Sequence, residues 1–332
     1  MTPKDLTQVS VRWLYFRIQH VTTELQQLSI GTSTKFLTKK ILDAFEIELP
    51  TRKEQETIAN ILWSFQDKID NNKQTNKTLE DMAQAIFKSW FVAFEPVKAK
   101  IEAKQNGQDP EKAAMCTISG SSDDELNHLS PDQLALLRGI ADLFPDELVD
   151  SELGMIPKGW EVQKIEDIVK RFPVGNKYAQ KTACEKGKVP ILDQGKSGII
   201  GYHNDKPGVT ASPDDPIIVF ANHTCYMRLI MHNFSAIQNV LPFKGIGLDI
   251  YWTYIATYGK QEFVEYKGHW PDFVIKKVVV PNKQLDKKYG EHVDKFFKAI
   301  YQNDLQSFNL AMLRDTLLPK LLSGEIDLSK VT

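Results

Sequence analysis

Residues 58–90 read IANILWSFQDKIDNNKQTNKTLEDMAQAIFKSW. Apolar residues recur there at alternating steps of three and four. Ile58, Phe65, Leu79 and Ile86 share one heptad position with Asn72, and Leu62, Ile69, Ala83 and Trp90 share the other with Asn76. That is the seam of a coiled coil. At helical rise the segment extends about 50 Å, too long for a helix lying on one small domain.

The seam recurs 231 residues later, in YGEHVDKFFKAIYQNDLQSFNLAMLRDTLLPKL, residues 289–321. Leu49-Pro50 matches Val280-Pro281, and then Phe65 matches Phe296, Ile69 matches Ile300, Asn72 matches Asn303, Leu79 matches Leu310, Met82 matches Leu313 and Trp90 matches Leu321. In the second copy Tyr289, Phe296, Asn303, Leu310 and Leu317 hold one position. Val293, Ile300, Ser307, Arg314 and Leu321 fill the other less perfectly. A repeat of this kind organises a chain before any motif does. The plainer account is that each helix packs on its own domain. Seam length favours pairing, through Ile58, Leu62, Phe65, Ile69, Asn72, Leu79, Ile86 and Trp90 against Phe296, Ile300, Asn303, Leu310, Leu317 and Leu321. A buried Asn layer weakens such a pair but fixes its register, because a heptad slip leaves Asn72 or Asn303 against hydrocarbon. An antiparallel pair puts the attached domains at opposite ends; a parallel pair is also within reach of the intervening chain.

The chain has 332 residues, 42% hydrophobic and 25% charged, which fits two or three globular domains and excludes long disorder. No apolar run approaches a membrane span and the first residues lack a secretory pattern, so the expected compartment is the cytoplasm. Cys116, Cys184 and Cys225 lie far apart, arguing against disulfide or zinc frameworks. His203, His223 and His232 form only a loose cluster; no metal site is expected.

The net charge of −2 hides an asymmetry: residues 98–156 carry −7 and residues 157–283 carry +5. Residues 1–50 are too short for a full domain, yet Trp13-x-Tyr15 and Trp252-x-Tyr254 precede the two helices at similar distances, so 1–50 reads as the end of a first domain copy. A helix at 51–94 follows, then an acidic linker at 95–156. Within that linker Ser130-Pro131-Asp132 opens a short helix, Asp132 to Leu143. A complete basic domain occupies 157–283, and a distal helix 284–325. In the basic domain Val189–Leu192, Ile199–Tyr202, Pro216–Phe220 and Phe273–Val280 read as strands, and Tyr251–Tyr258 as helix or strand. The expected fold is mixed α/β joined to two long helices forming an antiparallel intramolecular coiled coil.

Several stretches resemble the specificity (S) subunits of type I restriction–modification systems. Leu49-Pro50, Glu54-Gln55, Ile58-Ala59, Asp67-Lys68-Ile69, Asn72, Leu79, Met82-Ala83-Gln84 and Phe87-Lys88-Ser89-Trp90-Phe91-Val92 look like that family's central helical region. Phe144-Pro145-Asp146 and Ser151-Glu152-Leu153-Gly154-Met155-Ile156-Pro157-Lys158-Gly159-Trp160 resemble the start of its second target-recognition domain. Leu317-Leu318-Pro319-Lys320-Leu321-Leu322-Ser323-Gly324-Glu325-Ile326 resembles the end of its distal helix. The resemblance implies a non-catalytic subunit that reads a bipartite DNA site with two target-recognition domains held apart by paired helices. It further implies modification subunits that methylate adenine with S-adenosylmethionine, and restriction subunits that cleave with ATP and Mg; this chain itself would hold no cofactor. Typical members carry two complete recognition domains. This chain begins inside the first, so the resemblance leaves the missing half to a second S polypeptide.

Two other functions were weighed: an autonomous DNA adenine methyltransferase and a non-catalytic coiled-coil scaffold. Phe243-Lys244-Gly245-Ile246-Gly247 matches the Phe-x-Gly-x-Gly loop that holds S-adenosylmethionine, but the chain has no Asn-Pro dipeptide to grip a flipped adenine, and a turn is the better reading. Gly195-Lys196-Ser197 lacks the first glycine of a phosphate loop, with Pro190 in its place. Pro271-Asp272 with Asp286-x-Lys288 is too sparse for a nuclease. Base reading remains. Lys196, Tyr202, His203, Asn204 and Lys206 form one polar and aromatic group, and Asn222, His223, Thr224, Tyr226 and Arg228 a second; Lys244 joins them as a phosphate contact. No catalytic residue is expected.

Overall fold

The computed structural model describes residues 5–30, 36–195 and 198–328. The chain divides into two compact units, one built from residues up to Thr78 together with those from Gln302 on, the other from Leu79–Tyr301. Both long helices are present, Arg52–Phe91 and Lys283–Leu322, and each contributes to both units.

In the first unit Ile58 and Leu62 cluster with Leu318 and Leu321, Arg314 donates to Gln66, and Asn72 meets Gln306 and Ser307. Residue numbers fall along one helix as they rise along the other, so the pair is antiparallel and the parallel option is removed. Of the expected interface residues, Ile58, Leu62, Ile69, Asn72, Trp90 and Leu321 are buried, and Phe65, Leu79, Ile86, Phe296, Ile300, Asn303, Leu310 and Leu317 half-buried. The seam's imperfect positions turn out to be partners: Arg314 bonds Gln66, and Ser307 bonds Asn72.

The middle of this pairing is polar. Asn72 is 2% exposed, and its Nδ2 lies 2.9 Å from Gln306 Oε1, 3.2 Å from Ser307 Oγ and 3.3 Å from the Asn303 carbonyl. Asn303 Nδ2 donates to Asn76 Oδ1 at 2.8 Å, and Asn76 Nδ2 donates to Asp304 at 2.8 Å. Because Asn303 and Ser307 are the repeat equivalents of Asn72 and Asn76, the contacts Asn72–Ser307 and Asn303–Asn76 are one contact made in both directions. That reciprocity marks a self-complementary interface.

Each unit also contains the same clamp. In the first, Ser10 caps the helix Val11–His20 and its N–H donates to Gln55 Oε1 at 2.8 Å, while Trp13 and Phe16 bury against Ile58 and Leu62. In the second, Asp249 caps the helix Ile250–Thr257, accepting from Tyr251 and Trp252, and its N–H donates to Asp286 Oδ2 at 2.8 Å. Trp252 is fully buried there. Gln55 and Asp286 stand at the repeat offset. The ambiguous Tyr251–Tyr258 stretch is thus helical, started by a side-chain cap.

In the second unit residues 95–156, expected as a linker with one short helix, hold four: Glu95–Gln105, Pro110–Ser119, Asp123–Leu126 and Pro131–Ala141. The Pro, Ser, Asp and Gly residues that read as loop are helix punctuation. Asp109 caps the second with Pro110 in its first turn, Gly120 ends it at φ 70°, and Ser130 with Gln133 forms a capping box. Lys100, 3% exposed, ties the bundle together through Glu111 and the Phe144 carbonyl.

The strands are β1 (Leu148–Ser151), β2 (Gly154–Pro157), β3 (Glu161–Lys164), β4 (Val169–Arg171), β5 (Val189–Leu192), β6 (Ile199–His203), β7 (Ile217–Ala221), β8 (Met227–Ile230), β9 (Ser235–Ala236), β10 (Val240–Gly245) and β11 (Lys277–Val280). They pair in the orders β4-β10-β7-β8 and β6-β5-β9, with a hairpin β1-β2 and a two-stranded antiparallel pair β11-β3. β7 is the hub. Ile218 and Phe220 enter one core beside Trp90, Trp252, Tyr289 and Phe297, and Ile217 and Val219 enter another beside Phe234 and Val240, as strand alternation demands. The expected strand Phe273–Val280 divides into the helix Trp270–Val274 and β11, because Phe273 turns inward to stack on Phe220, ring centroids 4.7 Å apart. β10 escaped the sequence reading because Pro242 sits inside it, where it can only accept, as it does from Phe172.

Two variants test this architecture. Asn72→Leu with Asn303→Leu should raise the unfolding temperature while admitting more than one helix register in a cross-linking map; a single register would refute the specifying role. Gly290→Ala ordinarily gains about 0.5–1 kcal/mol in a helix. Here an added Cβ would meet the Asp249 carboxylate at 2.1 Å, so the expected result in denaturant melts is a loss of about 1–3 kcal/mol.

Candidate nucleic-acid interface

Three loops of the second unit converge. Gln194, in the turn after β5, accepts the His223 N–H on its side chain at 2.8 Å and the Thr224 hydroxyl on its carbonyl at 2.5 Å. Arg228, on β8, reaches across with Nη1 3.0 Å from the Gly198 carbonyl and Nη2 2.7 Å from that of Asp193. Its guanidinium also lies over the Tyr226 ring, and burial lowers its pKa. The third loop, between Gly259 and Gly268, is tied on by Asn222. The Asn222 carbonyl accepts from His269 N–H at 2.8 Å and its Oδ1 from Trp270 N–H at 2.8 Å. Tyr266 then stacks on His223, centroids 4.9 Å apart and planes 18° from parallel.

The hydrogen bonds of Arg228 and Asn222 hold the loops that carry the other side chains. His223 and Tyr226 are half-buried and Thr224 exposed at the surface so formed. Tyr202, His203, Asn204 and Lys206 do not join them. They lie at the open end of the β5–β6 hairpin, whose turn holds Gln194, about 10 Å away by strand rise. There His203 is 5% exposed, stacked on Tyr178 at 4.2 Å with Nδ1 3.2 Å from the Tyr178 hydroxyl. Asn204 accepts from the Lys188 N–H, and Lys206 is exposed. Burial raises the Tyr178 pKa, keeping its hydroxyl a donor. Lys244 is on β10, paired with Asp215 beyond the far end of β7. Lys196 lies outside the described residues.

The sequence reading missed Gln194 as an organiser and the exposed Phe263, Val264 and Tyr266. Apolar residues crowded between two glycines with flanking lysines were the available signal. The motifs set aside earlier have structural explanations. Phe243 is buried in β10, and Gly245 packs against Thr253, where a Cβ would meet the hydroxyl at 2.4 Å. Asp272 pairs with Lys267, whereas Asp286 bonds Asp249. Among the described residues no group of His, Cys, Asp or Glu could hold a metal.

With this geometry in hand, the comparisons with known proteins fall into place. The sequence pattern of the Type I restriction modification DNA specificity domain matches residues 1–81. The chain is 27% identical to the Type I restriction enzyme HindI specificity subunit of Haemophilus influenzae, across 86% of this chain and 70% of that protein. It is 25% identical to the MjaIX specificity subunit of Methanocaldococcus jannaschii, across 98% of this chain and 70% of that one. This chain is a relative of the type I specificity subunits. The crystal structure of a type I S subunit from M. genitalium aligns over 96% of this S-subunit relative and 74% of its own length, at 17% identity and a TM-score of 0.49.

Arg228→Ala should lower unfolding stability by about 1.5–3 kcal/mol, the worth of a charged hydrogen bond, and weaken DNA binding by releasing the backbone at Asp193 and Gly198. Arg228→Lys should not restore it, since one ammonium cannot span both carbonyls. Unchanged melting with relaxed base preference would make Arg228 a direct base reader.

Proposed function

We propose that this chain is the non-catalytic, sequence-reading subunit of a type I restriction–modification assembly, directing adenine methylation and DNA cleavage by partner subunits. The observation that carries this is the self-complementary antiparallel helix pair, made from two matching segments of one chain and joined to a mixed α/β domain whose loops converge on one polar and aromatic surface. Such a pair is a spacer and a mount, and the site offers hydrogen-bonding edges and stacking rings. The +5 charge of residues 157–283 favours a phosphate backbone, and the converging loops suit base edges.

Residues 157–283 are proposed as a complete target-recognition domain. The capped helix Val11–His20 repeats the contact that Ile250–Thr257 makes with its long helix, which supports residues 1–50 as the end of a first recognition domain. Modification subunits would bring S-adenosylmethionine, and restriction subunits ATP and Mg. No helix among the described residues is long and apolar enough to cross a membrane, and the proposed place of action is the cytoplasm, with its DNA.

Mapping methylated adenines genome-wide, in cells with and without the chain, tests the function. A single motif should disappear on deletion and return on complementation. An unchanged methylation map would overturn the proposal, and S-adenosylmethionine binding by the purified chain alone would favour an autonomous methyltransferase.

A further inference from the structure

The loop between Gly259 and Gly268 holds three apolar side chains in solvent: Phe263 is 56% exposed, Val264 74% and Tyr266 84%. An exposed apolar cluster calls for an account only if the chain that carries it is built to hold it there. This loop is. His269, at its foot, is fully buried and donates its N–H to Asn222, and its Nε2 lies 3.0 Å from the Glu265 carbonyl. Gly268 leaves no room for a side chain, since a Cβ would meet Asn222 Nδ2 at 2.9 Å. Phe263 sets its ring against His269, centroids 5.8 Å apart. Tyr266 rests one face on His223 and leaves the rest of its ring in water.

We propose that this loop is a wedge for the base stack. Tyr266, backed by His223 on one face, presses its open face against a base of the bound duplex and, with Phe263 and Val264 beside it, levers that base out of its stack, bringing neighbouring bases onto Gln194 and the 222–228 loop. The inference rests on the DNA-reading function proposed above. A ring with one face backed and the other open is a stacking platform, and every base offers a π-face to it. Apolar side chains inserted between base pairs are an established means of kinking a duplex. DNA is favoured over a protein partner because the loop stands in the segment 157–283, whose net charge is +5; within the loop Lys260 and Lys267 are balanced by Glu262 and Glu265, and Lys267 pairs with Glu265 and Asp272.

The test uses the full chain assembled with its modification subunits, and a duplex bearing the motif mapped from genomic methylation. 2-Aminopurine replaces adenine, one position at a time, at sites other than the methylated one. The wild-type assembly should raise fluorescence severalfold at one step. Tyr266→Ala with Phe263→Ala should abolish that rise and weaken binding about five- to hundredfold, the worth of one base stack, with melting unchanged. Tyr266→Phe, which keeps the ring, should retain both. No unstacked step with wild type, or wild-type binding by the double variant, overturns the wedge while leaving the reading function intact. Lost assembly with the modification subunits at undiminished DNA affinity also overturns it, marking the loop as a protein contact. Failure of the wild-type assembly to prefer the motif over a scrambled duplex defeats the reading function itself and the wedge with it.

Discussion

An asparagine held at 2% exposure between two helices must find partners for its amide, because an unsatisfied buried donor costs about 1–3 kcal/mol. Asn72 finds them only in one alignment of the helices, the one that sets it beside Ser307 and Gln306 while Asn303 reaches Asn76. A slip of one heptad would put Asn303 opposite Ile69 or Ala83 and Asn72 opposite Ile300 or Arg314, none of which accepts from a side-chain amide. The polar layer therefore converts a generic apolar attraction into a single register, at some cost in stability. Its two-way symmetry follows from the repeat, since duplicated segments running antiparallel present each residue to the other's equivalent.

That register governs what each long helix offers to the elements packed on it. Gln55 and Asp286 stand at the same repeat position, and each captures the backbone N–H of a helix cap, Ser10 in one unit and Asp249 in the other. The larger acid cap is matched by Gly290, where the smaller serine cap is matched by Ala59. A carboxylate in place of a hydroxyl in the cap is thus answered by a missing methyl in the helix, as close packing requires.

In the mixed domain, several polar groups hold loops together. Asn222 and Arg228 have the donors and acceptors suited to bases, but their bonds go to Trp270, His269 and the carbonyls of Asp193 and Gly198. Fixing three loops in this way lowers the entropy lost when a ligand binds, so that side chains at the loop tips meet it already placed. The charges divide as well: the −7 segment folds into a helical bundle, and the +5 segment carries the loops.

Periodicity is local, and what depended on it was legible: the two long helices, their repeat, the Asn layer, the Ser130 cap and the strands β5, β6 and β7 were all readable from spacing alone. The antiparallel direction of the helix pair was expected and the contacts agree. The place of β10 was not legible, because it is settled by contacts between residues far apart in sequence, and the helices of 95–156 were missed although their caps stood in the sequence. The candidate site shows the same limit. Residue types singled out two polar and aromatic groups, yet only the fold put Tyr202, His203, Asn204 and Lys206 at one end of a hairpin and His223 at the other, and brought Tyr266 onto His223. A side chain's chemistry is written in its identity, but whether that chemistry is free to act depends on which partners folding brings within about 3 Å of it.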